Sequence, residues 1–345
     1  MRSFIPLFIA FTLFIFSGCS LQKVYEPKFT TGTWKDYGDL NSSIVDVENN
    51  VAALQEQKLL VDDKLLDFPP KLDAKSRVIS YKDKKLIFTS FDDNLTVDNG
   101  NKSITFNFAK TVATAAVSGD TLAVLFGDDE MALYSLSTKE PFFKAQGGEA
   151  IALDSKITPP FFMRDLVVFS TLDGKVVIVS TRFKKVLRSV LVSAQEYFNN
   201  IIYFNIIDNK IIAATNKALL SLSVKEIKNE YEAREIKYDG KFLYLFTKQG
   251  EVLKLDSNLD VVKKIKFPFA HFLAVVLSDD TLYIYEKEGY LILLNKDNLE
   301  DYLVYKVNMP EGYVYESHDR IYQDSIYLQI VKPKCVECQT NSKHF

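Results

Sequence analysis

The chain has few of the residues that usually build metal centres and catalytic sites. Its 345 residues include three histidines, three cysteines and one tryptophan. His271, His318 and His344 show no spacing typical of metal ligands. The sequence also lacks a Gly-x-Ser-x-Gly elbow and a glycine-rich phosphate loop. We therefore predict that the protein is not an enzyme and carries neither a metal nor a cofactor.

Two further absences limit the partners that the chain can have. The formal charge is −3, with 42 basic and 45 acidic residues, which leaves no basic footprint for binding nucleic acid. After residue 20, no segment is long and apolar enough to span a bilayer. Aromatic residues, in contrast, are abundant, with 26 Phe and 18 Tyr, and they favour β-strands.

The N-terminus has the pattern of a secretory signal that ends in a cysteine. Arg2 provides a positive start, and an apolar run from Phe4 to Phe16 leads to Cys19. This region resembles the lipobox of bacterial lipoproteins, although Phe16 stands where Leu is usual. The resemblance implies cleavage after residue 18 and acylation of Cys19, for example with palmitate. Ser20 stands where inner-membrane retention uses Asp, so we expect sorting to the periplasmic face of the outer membrane. A transmembrane anchor or an ordinary signal peptide is the alternative, but the run is shorter than the roughly 20 residues of a span.

The other two cysteines lie close together near the C-terminus. Cys335 and Cys338 have a spacing that fits a disulfide in an oxidising compartment. A metal or redox site is the alternative interpretation of this spacing. Gln339 replaces the histidine that haem attachment requires, and His344 is the only further plausible zinc ligand nearby. We predict a disulfide within a C-terminal tail, residues 332–345.

One pattern of turns and apolar strands recurs along most of the chain. In its clearest copy, Pro159-Pro160 precedes an apolar strand at 166–170, an Asp173-Gly174 turn and a second apolar strand at 176–179. The copies can be aligned on the first apolar residue after the first turn, namely Leu86, Leu122, Leu166, Ile211, Phe242, Leu282 and Ile326. Asp-Asp pairs at 62–63, 92–93, 128–129 and 279–280 fall between the apolar runs and are interpreted as turns.

A period of about 40 residues with several strands per repeat predicts a β-propeller of four-stranded blades. A β-sandwich is the alternative, but it seldom sustains so many similar units. Residues 50–66 fit either a further hairpin or an amphipathic helix. We favour the hairpin, and therefore eight blades over seven. The segment from Lys225 to Glu235 fits either a helix or an outer strand. We place a lipidated tether at 19–43, with Trp34 and Tyr37 docking it, and the propeller at 44–331.

The copy from Thr158 to Leu187 resembles the repeats of PQQ-like propellers. Together with the lipobox, the chain resembles the BamB family, the lipoprotein propellers of the outer-membrane β-barrel assembly machinery. The resemblance implies contact with the barrel-inserting subunit through a loop before Pro159, where Ile151 and Leu153 match two leucines of that family. Asp154 replaces the family's arginine, a charge reversal that weakens the match. Alternatively, Ile151 and Leu153 are core residues of an inner strand.

These patterns favour a scaffold that binds outer-membrane assembly proteins through loops or strand edges, with the lipid on Cys19 as its membrane contact. Exposed apolar loops at Pro141-Phe142-Phe143 or Tyr197-Phe198 would serve as contacts. One alternative is a periplasmic propeller that binds a small ligand in its central channel. Another is a PQQ-type oxidoreductase, which would need a tryptophan on the ring floor, whereas the single tryptophan lies in the predicted tether.

Overall fold

The computed structural model describes residues 23–69, 76–90, 92–195 and 197–330. Within these ranges the chain forms 33 β-strands in eight sheets and no helix. The all-β prediction is confirmed, and so is the preference for eight blades. None of the described segments is a helix that could cross a membrane.

Two short strands precede the regular repeat, β1 (Gly32–Thr33) and β2 (Tyr37–Asp39). The next sixteen strands form blades 1 to 4, four to a blade, from the inner to the outer edge in chain order. They are β3 (Ile44–Glu48), β4 (Val51–Leu54), β5 (Lys58–Val61), β6 (Lys64–Asp67), β7 (Arg77–Lys82), β8 (Lys85–Thr89), β9 (Asn94–Asp98), β10 (Ser103–Asn107), β11 (Val112–Ser118), β12 (Thr121–Phe126), β13 (Glu130–Ser135), β14 (Pro141–Gln146), β15 (Phe161–Met163), β16 (Leu166–Ser170), β17 (Lys175–Ser180) and β18 (Lys185–Leu191).

Blades 5 to 8 contain the remaining strands in the same order. They are β19 (Tyr203–Ile207), β20 (Lys210–Ala214), β21 (Ala218–Leu222), β22 (Glu226–Glu230), β23 (Ala233–Tyr238), β24 (Leu243–Thr247), β25 (Glu251–Leu255), β26 (Val261–Lys266), β27 (Phe272–Leu277), β28 (Thr281–Glu286), β29 (Tyr290–Asn295), β30 (Tyr302–Lys306), β31 (Val314–Glu316), β32 (Arg320–Gln323) and β33 (Ile326–Gln329). Blade 8 takes its outer strand from the N-terminal segment, because β2 pairs antiparallel with β33.

The antiparallel order within each blade divides the connections between two rims. The links from an outer strand to the next inner strand lie at the same end as the turns between second and third strands, and we call this end the upper rim. The remaining turns form the lower rim. Apolar side chains on both sheet faces pack between neighbouring blades, as Ile87 and Leu95 of blade 2 do against Leu122 and Val124 of blade 3. Each blade thereby covers faces that it could not bury alone.

The N-terminal segment closes the ring. Its β1 adds to blade 7 as a fifth strand, parallel to β30, and β2 completes blade 8. Trp34, between them, is buried with its ring 5.4 Å from that of Tyr305. The Tyr37 hydroxyl accepts a hydrogen bond from the Asn308 N–H at 3.0 Å. Both residues dock the segment as predicted, and the docking adds two strands to the sheets.

Several details of the predicted repeat can now be compared with the strands. Residues 50–66 form the hairpin of blade 1, and the stretch from Lys225 to Glu235 contains the outer strand β22. The alignment at Ile326 is wrong by one strand, because this residue begins the third strand of blade 8. Ile326 begins an apolar strand after a turn, so locally it looks like the second strands of the other blades. Pro141-Phe142-Phe143 is not a loop but the start of β14, where Phe143 is buried.

Candidate functional site

The connection between blades 3 and 4 is the most prominent feature of the upper rim. Residues 147–160 contain no strand and link β14 to β15. The Gly147 N–H donates to the Asp129 carbonyl at 2.9 Å, and the Gly148 N–H donates to Asp173 Oδ2 at 2.9 Å. A Cβ at either glycine would collide with an aspartate carboxylate, so only glycine permits this close approach. We call residues 147–160 the long loop.

A buried asparagine holds the middle of the long loop. Asn200, fully buried, accepts from the Asp154 N–H through Oδ1 at 2.7 Å. Its Nδ2 donates to the carbonyls of Asp154 at 3.2 Å and Lys156 at 2.7 Å. The Phe198 N–H donates to the Ala152 carbonyl at 2.9 Å. The long loop and the connection between blades 4 and 5 therefore form one hydrogen-bonded unit.

The three residues predicted to contact a partner have different environments. Ile151 is 74% exposed, whereas Leu153 is half-buried against the core between blades 3 and 4. Asp154 is half-buried, and its Oδ1 accepts from the Lys156 N–H at 3.1 Å. None of the three lies in an inner strand, so the alternative interpretation as inner-strand residues does not hold.

Exposed aromatic residues lie beside Ile151. Tyr197 and Phe198 are each 44% exposed, and the backbone bond from Phe198 to Ala152 brings them next to the long loop. Phe198 has a φ of +60°, an uncommon conformation for a bulky residue. Tyr197 and Phe198 were predicted as an exposed apolar loop, and the structure confirms their exposure. We call Ile151, Tyr197 and Phe198 the upper-rim patch.

The central channel contains a chain of paired charges. It has a volume of about 830 Å³ and is lined mainly by inner strands and by residues 155–160 of the long loop. Lys156 contacts Glu235, the Lys237 Nζ lies 3.7 Å from the same carboxylate, and Lys237 also contacts Glu316. Glu316 in turn accepts from the Val275 N–H at 2.7 Å. The long loop is thus tied across the channel to blade 6.

Burial and pairing together set the charge states in the channel. Burial opposes ionisation of Glu235, but Lys237 and Lys156 hold its pKa below the usual value. Burial likewise opposes the charge of Lys237, while Glu316 and Glu235 raise its pKa. Burial also raises the pKa of Glu48 to about 7 and that of Tyr203 to about 12. Glu235 and Lys237 therefore keep their charges, and each is paired with an opposite charge.

A second carboxylate cluster lies at the base of the long loop. Asp129 is fully buried, and its Oδ1 accepts from the Leu172 N–H at 2.7 Å. Its Oδ2 has no hydrogen-bond partner among the described residues. Burial, with the nearby charge of Asp173, raises the pKa of Asp129 to about 7. Burial of the half-buried Asp173 opposes its ionisation, but bonds from Lys175 and Thr171 lower its pKa.

The remaining sequence candidates are placed as follows. His271 is half-buried and contacts the Arg234 guanidinium, and burial, with the Arg234 charge, lowers its pKa to about 4. The described parts of the chain contain no group of three or more His, Cys, Asp or Glu that could hold a metal. Cys19, Cys335 and Cys338 lie outside the described residues.

Sequence reasoning missed the residues that position the long loop. Asn200, Lys156 and Glu235 act through contacts between residues far apart in the sequence, and no local pattern marks them. The one sequence signal for this loop is the pair Gly147-Gly148. Glycines in succession beside a blade boundary can indicate close backbone packing.

No family model matches the chain. Among curated proteins it is similar to plasminogen-binding protein PgbB of Helicobacter pylori. The protein from strain J99 is 30% identical over 249 residues, which cover 68% of this chain and 46% of that relative. The protein from strain 26695 is 27% identical over 394 residues, which cover 96% of this chain and 72% of that relative. The chain thus spans about half the length of the first of these relatives.

Solved structures with the same architecture include proteins of several kinds. BamB from Moraxella catarrhalis has a TM-score of 0.64 at 11% identity, covering 86% of this chain and 99% of that chain. The C-terminal WD40 domain of Sif2 has a TM-score of 0.63 at 11% identity, covering 88% and 100%. The computationally designed protein Ika8 has a TM-score of 0.61 at 12% identity, covering 87% and 99%. The resemblance to BamB is therefore confirmed for the fold alone.

Proposed function

We propose that this protein is a lipid-anchored propeller on the periplasmic face of the outer membrane that binds another protein through the upper-rim patch. The observation that carries the proposal is the exposed position of Ile151, Tyr197 and Phe198 on two loops fixed by buried hydrogen bonds. Apolar and aromatic side chains held on a rigid frame are typical of the centres of protein interfaces. Fixing the loops in advance lowers the entropy lost on binding.

The partner that we propose is the barrel-inserting subunit of the outer-membrane β-barrel assembly machinery. The fold shared with BamB and the predicted acylation of Cys19 support this role. The charge reversal at Asp154 is a weaker objection in the structure, because this residue is half-buried and its carboxylate accepts a hydrogen bond from the Lys156 N–H within the loop.

Plasminogen is a second candidate partner, favoured by a specific observation. Both curated relatives are named plasminogen-binding proteins, and one of them aligns with 96% of this chain. A small ligand in the channel is less favoured, because the charged side chains there already pair with one another. The PQQ-type alternative also loses support, because Trp34 packs in the seam between blades 7 and 8 instead of on the ring floor.

A crosslinked pull-down of the acylated protein from native membranes tests the proposal. Wild type, Ile151→Asp and Phe198→Asp are compared with Val224→Asp, a fully exposed position on the lower rim. We expect wild type and Val224→Asp to recover the barrel-inserting subunit. The two patch variants should recover roughly tenfold less, because a charge in an interface centre costs more than about 1.4 kcal/mol.

Two results would contradict the proposal in different ways. Equal recovery by all four proteins would remove the patch as the contact. If the barrel-inserting subunit is not recovered by wild type, and all four proteins bind immobilised plasminogen, plasminogen would replace that subunit as the proposed partner. Labelling with a fatty acid analogue, with Cys19→Ser as the control, tests the anchor separately.

A further inference from the structure

The connection between β26 and β27 presents one aromatic side chain on the upper rim. Phe267 and Ala270 are buried, whereas Phe269 between them is 55% exposed and has a φ of +66°. The Phe267 N–H donates to the Gly250 carbonyl at 2.8 Å, and the Ala270 N–H donates to the Phe267 carbonyl at 3.1 Å. The loop is therefore firmly held at both ends. A bulky residue in a left-handed conformation on an exposed tip is rare, and such strain tends to mark functional positions.

The N-terminal segment reaches the ring at this tip. Tyr25 is buried, with its ring 6.2 Å from Phe267 and 5.7 Å from Tyr290, both in edge-to-face contact. Lys23 Nζ lies 5.5 Å from the centroid of the Phe269 ring. Val24, between Lys23 and Tyr25, is 45% exposed. The first described residues are thus fixed beside Phe269 by a buried tyrosine.

The predicted lipid is attached only a few residues earlier. Three residues separate Cys19 from Lys23. Even a fully extended chain covers at most about 14 Å over that interval, at 3.3–3.6 Å per residue. Acyl chains on Cys19 enter the bilayer directly, so the membrane surface must lie within that reach of Lys23. Phe269 is the large apolar side chain that Lys23 itself contacts.

The charges around the tip suit a phospholipid surface. Lys248 lies on the turn before Gly250, and the Lys287 N–H donates to the His271 carbonyl at 3.0 Å, so both residues flank the connection. Lys23, Lys248 and Lys287 are exposed and form no ion pair with any described residue. Exposed Glu26 and Glu288 offset part of this positive charge. The insertion of the apolar Phe269 side chain is therefore the main contribution to membrane binding.

We propose that the upper rim between blades 6 and 7 lies on the bilayer surface, with Phe269 inserted among the phospholipid headgroups. This inference rests on the acylation of Cys19 that is part of the proposed function. In this orientation the whole upper rim faces the membrane, and the upper-rim patch of blades 3 to 5 faces it too. A partner would therefore bind that patch at the membrane surface, between the bilayer and the ring.

The lower rim supplies a matched comparison. Phe183, on the turn between β17 and β18, is 64% exposed and flanked by Arg182 and Lys184. Its chemistry suits a membrane surface at least as well as that of Phe269. Only the position of the N-terminal segment distinguishes the two sites, so a comparison between them tests the orientation directly.

Fluorescence quenching by brominated lipids measures which rim contacts the bilayer. The acylated full chain is reconstituted in vesicles of phosphatidylethanolamine and phosphatidylglycerol, part of them brominated near the headgroup. The variants are Phe269→Trp and Phe183→Trp, and the native Trp34, buried in the seam, gives the common background. We expect brominated lipid to quench the added signal at position 269 at least threefold more than that at position 183.

The outcomes separate this inference from the proposed function. Equal quenching at the two positions, or stronger quenching at 183, would overturn the orientation while leaving an acylated, partner-binding propeller intact. Absence of acyl label on Cys19 would overturn both the anchor and this inference. Circular dichroism of each variant confirms that the ring is folded before quenching is interpreted.

Discussion

The closing seam and the long loop are both irregular parts of a repetitive ring, but different interactions hold them. The N-terminal segment buries Trp34 in the seam between blades 7 and 8, buries Tyr25 between blades 6 and 7, and extends two sheets. At the long loop, buried polar groups hold the backbone while Ile151 stays in solvent. Aromatic burial supplies stability where the ring must close. Hydrogen bonds fix the loop without using its apolar side chain, which remains available for a partner.

Removal of the seam's aromatic anchor should have the largest effect on stability. Trp34→Ala empties a buried site beside Tyr305 and removes the indole N–H bond to the Asp36 carbonyl. We expect a loss of about 3–5 kcal/mol in the free energy of unfolding, since large-to-small changes at buried aromatic positions have that cost. Urea denaturation followed by circular dichroism measures it. Phe29→Ala, which removes an exposed ring stacked on Tyr302, is the control and should cost less than about 1 kcal/mol. Equal losses would show that the seam does not depend on the buried anchor.

Loss of the asparagine should release the long loop at a smaller cost. Asn200→Ala removes three hydrogen bonds and leaves one N–H and two carbonyls of the loop without that partner. We expect about 2–3 kcal/mol of destabilisation, together with faster tryptic cleavage after Lys156. Asn200→Asp keeps the acceptor for Asp154 but directs a carboxylate toward two carbonyl oxygens, so it should not restore protection. Unchanged cleavage in Asn200→Ala would mean that the ion pair of Lys156 alone fixes the loop.

The aspartate at the base of the long loop should make stability depend on pH. Burial raises the pKa of Asp129 to about 7, so between its unfolded pKa near 4 and that value the folded state binds more protons than the unfolded state. Stability attributable to Asp129 is therefore greatest below pH 4, falls as the pH rises through this window, and is constant above about pH 7.

Asp129→Asn keeps an acceptor for the Leu172 N–H and cannot ionise, so it should remove this dependence. We expect the variant to be more stable than wild type by roughly 1–3 kcal/mol at pH 8, and the difference to shrink toward pH 5. Denaturation at pH 5, 6.5 and 8 measures the trend. A constant difference at all three values would show that Asp129 is ionised in the folded protein throughout.

The sequence could predict the ring because its turns and strand alternation repeat locally. Asp173-Gly174 marks a hairpin by itself, and eight such units follow from counting. The sequence could not place the strands of the last blade. Ile326, in the third strand of blade 8, has the same local pattern as Leu282 in the second strand of blade 7. The upper-rim patch was only partly predictable: Tyr197 and Phe198 are visible as an apolar pair, but their contact with the long loop depends on Asn200 and the fold.

Substitution of two neighbouring loop residues should give the smallest change in stability and the sharpest functional contrast. Ile151→Ser alters a side chain that is 74% exposed, so the free energy of unfolding should change by less than about 0.5 kcal/mol. Leu153→Ser exposes a gap in the core between blades 3 and 4 and should cost about 1–2 kcal/mol. Partner recovery should show the reverse order, with Ile151→Ser losing more than Leu153→Ser once the fraction of folded protein is matched. The opposite order would assign the contact to Leu153, and the loop would then have to rearrange to bind. The predicted order would instead mean that the two apolar residues of the loop have different roles: Leu153 packs in the core, and Ile151 contacts the partner.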